Sequence, residues 1–349
     1  MVTSHSTSQV PAFPIVQHMK TVKDIRDFFL QGIHKGRAST LDEFLRTLPG
    51  YVTPAQEGLE TIDMSIAQSY YQICEKMVAD NLLVKVESYP MMCFQNKYIG
   101  VHEVNSSNPD AFTHELDYGV YDFKYRGFAY TWKCLTDSVL YIEGINMKGD
   151  PDIGTAYYIG NNMVVTAAHC VESFKSFTLH LSNHQEVPLK EVWYAKGQDR
   201  QDYDLAVLIT VESLPVKPLE KEEPYVLDDV LVMGYPPLSG FDAFQTVETA
   251  SVGAILNGNQ KATTGQIVSK TSPYMSKLDH FLINARVKGG NSGGPVVNIR
   301  GKVIGTVIEL PFDSQSSSDQ PRYDIMGYGV CLPSKYVDAL INNHDSVYF

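Results

Sequence analysis

Apolar residues recur at helical spacing along the first third of the chain. The segments TVKDIRDFFLQGIHKG and TLDEFLRTLPG both predict short amphipathic helices, and Thr40 followed by Glu43 fits a capping box at the start of the second. Residues 58–80 continue this helical spacing. Their apolar positions are Ile62, Ile66, Tyr70, Ile73 and Met77. Two β-rich runs follow around a Tyr-Pro pair in residues 81–101, which predicts a hairpin.

The pattern changes near residue 137. Short apolar runs such as GTAYYIG, NMVVTAAHC, DLAVLITV and KVIGTVIEL then recur between Gly, Asn, Asp and Pro turns, which predicts a β-barrel or sandwich. The segment PSKYVDALINNH predicts a closing helix with Pro333 at its start. We therefore expect a flexible tail over residues 1–15, a mainly helical α+β domain over residues 16–135 and an all-β domain over residues 137–349.

Composition narrows the class of protein. The 349 residues are 44% hydrophobic and 19% charged, which is enough to bury a full core. The net charge of −12 argues against a general nucleic-acid binder and against docking on an anionic membrane. No apolar run approaches the ~18 residues of a membrane span.

The start of the chain and the cysteines bear on its compartment. The N-terminus has no basic segment followed by an apolar one, so we expect no signal peptide and a cytoplasmic location. Signal-independent delivery into another cell would leave the same sequence. The five cysteines are widely spread, odd in number and form no C-x-x-C pair, which favours free thiols in a reducing compartment.

The order of elements before residue 135, three helices and a hairpin, resembles a winged-helix domain. Residues 1–80 carry seven basic and nine acidic residues, and the third predicted helix has no Arg or Lys before Lys76. Because phosphate contacts supply most of the affinity for DNA, this domain is better suited to a regulatory or partner-binding role.

The stretch GGNSGGPVV places Ser292 among four glycines. Glycine is costly to order, so such a run indicates a tight turn or a close approach of the backbone, and Ser292 is either a nucleophile or an ordinary loop serine. Upstream, VVTAAHC places His169 after an apolar strand, and DYDLAVLIT places Asp204 at the head of another, with Asp202 as a competing acid.

Together these three motifs resemble the trypsin/chymotrypsin-like serine protease superfamily. The segments GGNSGGPVVNIRGKVIG and GYGVCLPSKYV are similar to the Deg (high-temperature-requirement) branch, here expected without a PDZ domain, and the likeness covers residues 137–349. It implies two antiparallel β-barrels and cleavage of peptide bonds in protein or peptide substrates. Ser292 would be the nucleophile, His169 the base and Asp204 the orienting acid, with the N–H groups of Gly290 and Ser292 as the oxyanion hole. The resemblance implies no cofactor and no metal.

The resemblance also suggests which residues bind substrate. The position six before the nucleophile is Arg286, which would favour an acidic P1 side chain if it were buried in the pocket. Arg286 could instead face solvent or pair with Glu309, and Lys288 could reach the cleft. A small or aliphatic P1 residue, as in Deg-type relatives, is the alternative.

Two departures from the trypsin pattern concern activation and redox state. The expected disulfide partner of Cys170 is Gly154, so Cys170 should be a buried free thiol. Asn291 replaces the zymogen aspartate, so we expect switching by loop ordering, the N-terminal domain or oligomerisation rather than by N-terminal trimming. The alternative function is an inactive or gated protease-fold module that acts through protein–protein interaction. The sequence leaves the oligomeric state open.

Overall fold

The computed structural model describes most of the chain. The described ranges are 19–34, 36–55, 59–102, 108–196, 203–236, 259–271, 278–309 and 328–348. The chain divides into two compact units, Met1–Tyr125 and Arg126–Phe349. The predicted tail over residues 1–15 lies outside the described residues.

The first unit combines helices with a small antiparallel sheet. Its helices are α1 (Val22–His34), α2 (Leu41–Leu45), α3 (Met64–Ala79), α4 (Pro109–Tyr118) and α5 (Val120–Arg126). Its strands are β1 (Ser39–Thr40), β2 (Val52–Pro54), β3 (Glu60–Ile62), β4 (Leu83–Glu87) and β5 (Lys97–Gly100). The sheet has the order β1-β5-β4, and β2 pairs with β3 as a separate hairpin. The helices and the predicted hairpin β4–β5 follow in the order that suggested a winged helix.

Local sequence explains where these helices begin. The capping box at α2 is confirmed: the Thr40 hydroxyl accepts a hydrogen bond from the Glu43 N–H, and Glu43 accepts one from the Thr40 N–H. The third helix begins at Met64, later than the run predicted over residues 58–80. Asp63 caps it, and the three residues before Asp63 form β3 instead, because they pair with β2.

The outer face of α3 carries a single basic side chain, that of Lys76. Ser65, Gln68 and Gln72 are also exposed on it, while Tyr70 and Ile73 are buried. The Lys76 ammonium donates to the Tyr125 carbonyl at 2.6 Å, so this face offers little of the positive charge that phosphate contacts need. A regulatory or partner-binding role for the first unit stays a prediction.

The second unit is built from antiparallel strands. It opens with α6 (Phe128–Leu135), which the sequence had assigned to the N-terminal domain, and with a 3-10 turn (Thr136–Ser138). The strands of its first sheet are β6 (Val139–Asn146), β7 (Pro151–Gly160), β8 (Met163–Thr166), β9 (Phe174–His180), β10 (Glu186–Val187), β11 (Leu189–Ala195), β12 (Ala206–Thr210) and a last strand after the barrel. The short helix α7 (His169–Glu172) follows β8.

A six-stranded barrel completes the second unit. Its strands are β13 (Asp229–Gly234), β14 (Lys261–Thr271), β15 (His280–Ile283), β16 (Pro295–Asn298), β17 (Val303–Glu309) and β18 (Gly329–Pro333). The chain then forms α8 (Lys335–Asn342) and β19 (His344–Tyr348). The barrel is closed in the order β13-β14-β15-β18-β17-β16.

The all-β architecture predicted for residues 137–349 is confirmed, with one difference. The first sheet has eight strands in the order β10-β9-β6-β7-β8-β12-β11-β19 and ends on β10 and β19, so in the described residues it is an open half-barrel. Each sheet encloses its own apolar core, with Leu140 and Leu208 fully buried in the first and Phe281 and Val296 in the barrel. The closing helix was predicted two residues early, because Pro333 still pairs with Gly305 at the end of β18.

Candidate active site

His169 and Asp204 are joined by two hydrogen bonds. The His169 Nδ1 lies 2.6 Å from Asp204 Oδ2, and the main-chain N–H of His169 donates to Oδ1 at 2.9 Å. His169 begins α7 directly after β8, and Asp204 lies just before the paired strand β12. A carboxylate only accepts, so Nδ1 must carry the proton, and Nε2 of the neutral ring then bears the free lone pair.

The aspartate also shifts the basicity of the imidazole. Burial lowers the pKa of His169, but the hydrogen bond and charge of Asp204, with a contribution from Cys170, outweigh it and hold the pKa above the ordinary 6.5. The competing acid Asp202 lies outside the described residues.

Residues 288–294, called here the glycine loop, form two successive turns. The N–H of Asn291 donates to the Lys288 carbonyl at 3.0 Å, and the N–H of Gly294 donates to the Asn291 carbonyl at 2.8 Å. The third position of each turn is a glycine with positive φ, +88° at Gly290 and +81° at Gly293. Positive φ at this position defines a type II turn, which explains why the chain requires glycine there.

The first sheet holds the glycine loop beside His169. The Ser292 carbonyl accepts from the Thr155 N–H at 2.9 Å and from the Cys170 thiol at 3.3 Å. On the opposite side, the N–H of Gly293 donates to the Val307 carbonyl of β17 at 2.7 Å. The fold thus brings the main chain of Ser292 against Cys170, the residue after His169.

The two predicted oxyanion donors are not used by their surroundings. Among the described residues, neither the N–H of Gly290 nor that of Ser292 has a hydrogen-bond acceptor. Buried backbone N–H groups are nearly always paired. Within the described ranges these two N–H groups of the glycine loop lack a partner, and Gly290 is buried.

The predicted substrate residues differ in exposure. Arg286 is exposed and its carbonyl accepts from the Thr263 hydroxyl at 2.9 Å, while Lys288 is half-buried. The side chain of Glu309 lies outside the described residues. Val287, which sequence reasoning missed, packs against the barrel core, and a Cβ built on Gly329 would lie 2.7 Å from its Cγ2.

Cys170 on α7 packs directly against Gly154 on β7. A Cβ built on Gly154 would lie 3.0 Å from both Cβ and Sγ of Cys170, so the expected disulfide partner position is glycine in space as well as in sequence. All five cysteines are free, and Cys170 is buried.

The described residues form neither a metal-binding cluster nor a membrane-spanning helix. Within the described ranges, no three His, Cys, Asp or Glu side chains are placed to hold a metal ion. In that same part of the chain, no helix is both long and apolar enough to cross a bilayer. The cellular compartment stays a prediction from the sequence.

Part of the chain is similar in sequence to known proteins. Residues 154–305 match the sequence model of the trypsin-like peptidase domain. The chain is 27% identical over 185 residues to the serine protease Do-like HtrA of Lactococcus lactis, covering 52% of this chain and 41% of that protein. It is 24% identical over 246 residues to serine protease HTRA1B of Danio rerio, covering 68% and 46%.

The solved structures found include the active form of the Rv3671c protease of M. tuberculosis, at 20% identity and a TM-score of 0.47, covering 71% of this chain and 96% of that one. The chain spans less than half the length of the curated relatives it matches. The resemblance to trypsin-like and Deg-type proteases stated from the motifs is confirmed by the match to the trypsin-like peptidase model and by the similarity to the Do-like HtrA protease.

Proposed function

We propose that the chain is a serine endopeptidase with Ser292 as nucleophile, because residues 154–305 match the sequence model of the trypsin-like peptidase domain. The observation that carries the proposal is the 2.6 Å contact between His169 Nδ1 and Asp204 Oδ2, made beside a glycine loop whose Ser292 carbonyl is hydrogen-bonded to Thr155 and Cys170. The substrates would be proteins or peptides, as in the relatives named above.

In this mechanism the proton moves through His169. Ser292 Oγ attacks the scissile carbonyl while Nε2 of His169 takes its proton. The imidazolium then gives that proton to the leaving amine, the acyl-enzyme forms, and water reverses the sequence to release the acid. Asp204 holds the ring in the tautomer that leaves Nε2 free and stabilises the imidazolium, in line with the raised pKa of His169.

The glycine loop would stabilise the oxyanion. The N–H groups of Gly290 and Ser292 lack acceptors in the described part of the chain, and the type II turn at Gly290 turns the 289–290 peptide over relative to a type I turn. Losing one such donor typically costs about 10²–10³ in kcat.

Labelling with a fluorophosphonate probe tests this proposal. The wild type should be labelled and Ser292→Ala should not, because the probe needs an activated serine hydroxyl. Ser213→Ala is the matched control, since Ser213 is an exposed serine of the same unit whose hydroxyl bonds to Asn162. Labelling that persists in Ser292→Ala, or an unlabelled wild type, would contradict the proposal.

One observation favours a second candidate, the inactive or gated protease-fold module. In the described part of the chain, no hydrogen bond joins the Ser292 hydroxyl to His169. Such bonds are often long in substrate-free enzymes and shorten when substrate binds, so both candidates are compatible with it. An unlabelled wild type would select the gated module, with the first unit as its predicted regulator.

The structure favours an aliphatic P1 residue over an acidic one. Of the side chains that precede the glycine loop, Val287 packs inward near Gly329 and Arg286 faces solvent. For paired peptides that differ only at P1, we expect Val to be cleaved at least about tenfold faster than Asp, because Val287 would offer a P1 carboxylate no hydrogen-bond partner. Arg286→Ala should leave this ratio within about twofold. Faster cleavage after Asp that disappears in Arg286→Ala would instead support the acidic preference.

A further inference from the structure

Thr155 connects the first sheet to the glycine loop through two hydrogen bonds and accepts a third from Tyr235. It is fully buried on β7. Its hydroxyl donates to the Gly290 carbonyl at 2.6 Å and accepts from the Tyr235 N–H at 3.0 Å. Its own N–H donates to the Ser292 carbonyl at 2.9 Å. One residue therefore holds the loop on both sides of Asn291.

The direction of the hydroxyl bond is fixed by its neighbours. A hydroxyl has a single proton, and the Tyr235 N–H can only donate, so it must use a lone pair of the Thr155 oxygen. The hydroxyl proton is then committed to the Gly290 carbonyl. With its proton committed in this way, the Thr155 hydroxyl cannot keep both hydrogen bonds in an arrangement that releases the loop.

The Gly290 carbonyl needs such a restraint. Gly290 and Gly289 lack side chains and so explore backbone conformations freely. In the described part of the chain, the Thr155 hydroxyl is the hydrogen-bond donor to the Gly290 carbonyl. Because φ and ψ of Gly290 connect this carbonyl to its own N–H, a fixed carbonyl also limits where the N–H points.

We propose that Thr155 is a positioning residue, which fixes the oxyanion-binding N–H of Gly290 through the Gly290 carbonyl. This inference rests on the proposed protease function and deepens it. Without the hydroxyl, the carbonyl of Gly290 and the N–H of Tyr235 would both be buried and unpaired, which is costly. A change in φ and ψ of Gly290 that turns its carbonyl toward another partner also reorients the 289–290 peptide, which carries the oxyanion donor.

The test compares Thr155→Val, which keeps the shape and removes the hydroxyl, with Thr155→Ser, which keeps the hydroxyl and removes the methyl. Thr210→Val is the matched control, because Thr210 is a buried strand threonine whose hydroxyl bonds to the carbonyls of Asn162 and Glu212. All four proteins, wild type included, are assayed at full length with a peptide substrate, and thermal unfolding verifies that each is folded.

We expect Thr155→Val to lower kcat about tenfold to a hundredfold with KM within about threefold. Binding of a peptidyl trifluoromethyl ketone, whose adduct places an oxyanion in the hole, should weaken by the same factor. Binding of the amine product, which leaves the oxyanion hole empty, should not change. Thr155→Ser should recover kcat to within about threefold of wild type, and Thr210→Val should match wild type.

Three results would overturn the role of Thr155 in an active enzyme. They are an unchanged kcat in Thr155→Val, an equal loss in Thr155→Ser, and equal weakening of the ketone and the amine product, which would mean that the whole cleft is distorted. Failure of the protease function itself looks different: wild type and Ser292→Ala would then show the same absence of hydrolysis, and the positioning role would fall with it.

Discussion

Replacing Asp204 by asparagine should lower kcat about 10⁴-fold while the protein stays folded. The two bonds of Asp204 to His169 explain the size of the effect. An amide has one oxygen and one NH2 group, whereas both oxygens of the carboxylate accept from residue 169. If the amide oxygen accepts from the main-chain N–H, the NH2 group faces Nδ1 and forces the ring proton onto Nε2. If the amide is flipped, its NH2 group opposes the main-chain N–H.

The pH profile separates this role from a merely structural one. His169 must be neutral to take the serine proton, so kcat/KM of the wild type should rise with pH along a limb whose midpoint lies above 6.5, because Asp204 raises the pKa of His169. In Asp204→Asn the charge is gone and burial remains, which lowers the pKa of an imidazole. The midpoint should therefore move to lower pH. An unchanged midpoint would contradict the assignment.

Asp202→Asn is the matched control for Asp204→Asn. The two aspartates are the alternatives that the motif DYDLAV offers, and they differ by two positions. We expect Asp202→Asn to keep kcat and the pH midpoint of the wild type. If Asp202→Asn were the variant that lost activity, the orienting acid would have been assigned to the wrong residue.

The sequence predicted the parts of the site that are encoded by short motifs. The glycines around Ser292 indicated positive φ or close approach, and the structure shows both at Gly293. The strand before His169 and the strand after Asp204 were visible as apolar runs, and they pair as β8 and β12. Such features depend on neighbours in sequence, so local pattern is sufficient to find them.

At Arg286, counting from the resemblance and the local pattern lead to different expectations. Its distance from Ser292 suggested the floor of a pocket. The segment around it alternates instead, with Ile283 and Ala285 buried and Asn284 and Arg286 exposed. Side chains of an extended chain alternate between faces, so this alternation already indicated that Arg286 points outward.

Thr155 and β19 could not be predicted because their partners are distant in sequence. The Thr155 hydroxyl bonds to Gly290, 135 positions away, and nothing in GTAYYIG distinguishes this threonine from an ordinary strand residue. The polar segment HDSVY forms β19 by pairing with β11, although most of its residues are exposed. In both cases a hydrogen bond made by the fold, and not local propensity, decides the structure.

Gly293→Ala should abolish fluorophosphonate labelling and lower the free energy of unfolding by roughly 3–5 kcal/mol. A Cβ there would lie 2.1 Å from the Thr155 carbonyl oxygen, 2.3 Å from the Thr166 hydroxyl and 2.8 Å from the Ala167 nitrogen. Two of these atoms are backbone of the first sheet and cannot give way. The positive φ of +81° adds strain for any residue with a side chain.

Gly149→Ala separates the two causes of the lost stability, which are the overlap of the added Cβ with its neighbours and the strain of a positive φ. Gly149 also has a positive φ, +97°, but a Cβ there would meet nothing within 4 Å. This control therefore measures the strain alone, about 1–2 kcal/mol, and should keep wild-type labelling.

Both tryptophans of the chain, Trp132 and Trp193, belong to the second unit, so their fluorescence during urea unfolding reports on that unit. If Gly293→Ala lost no more stability than Gly149→Ala, or still reacted with the probe, the loop would not be packed against the first sheet as described, and the placement of Ser292 beside His169 would fail with it.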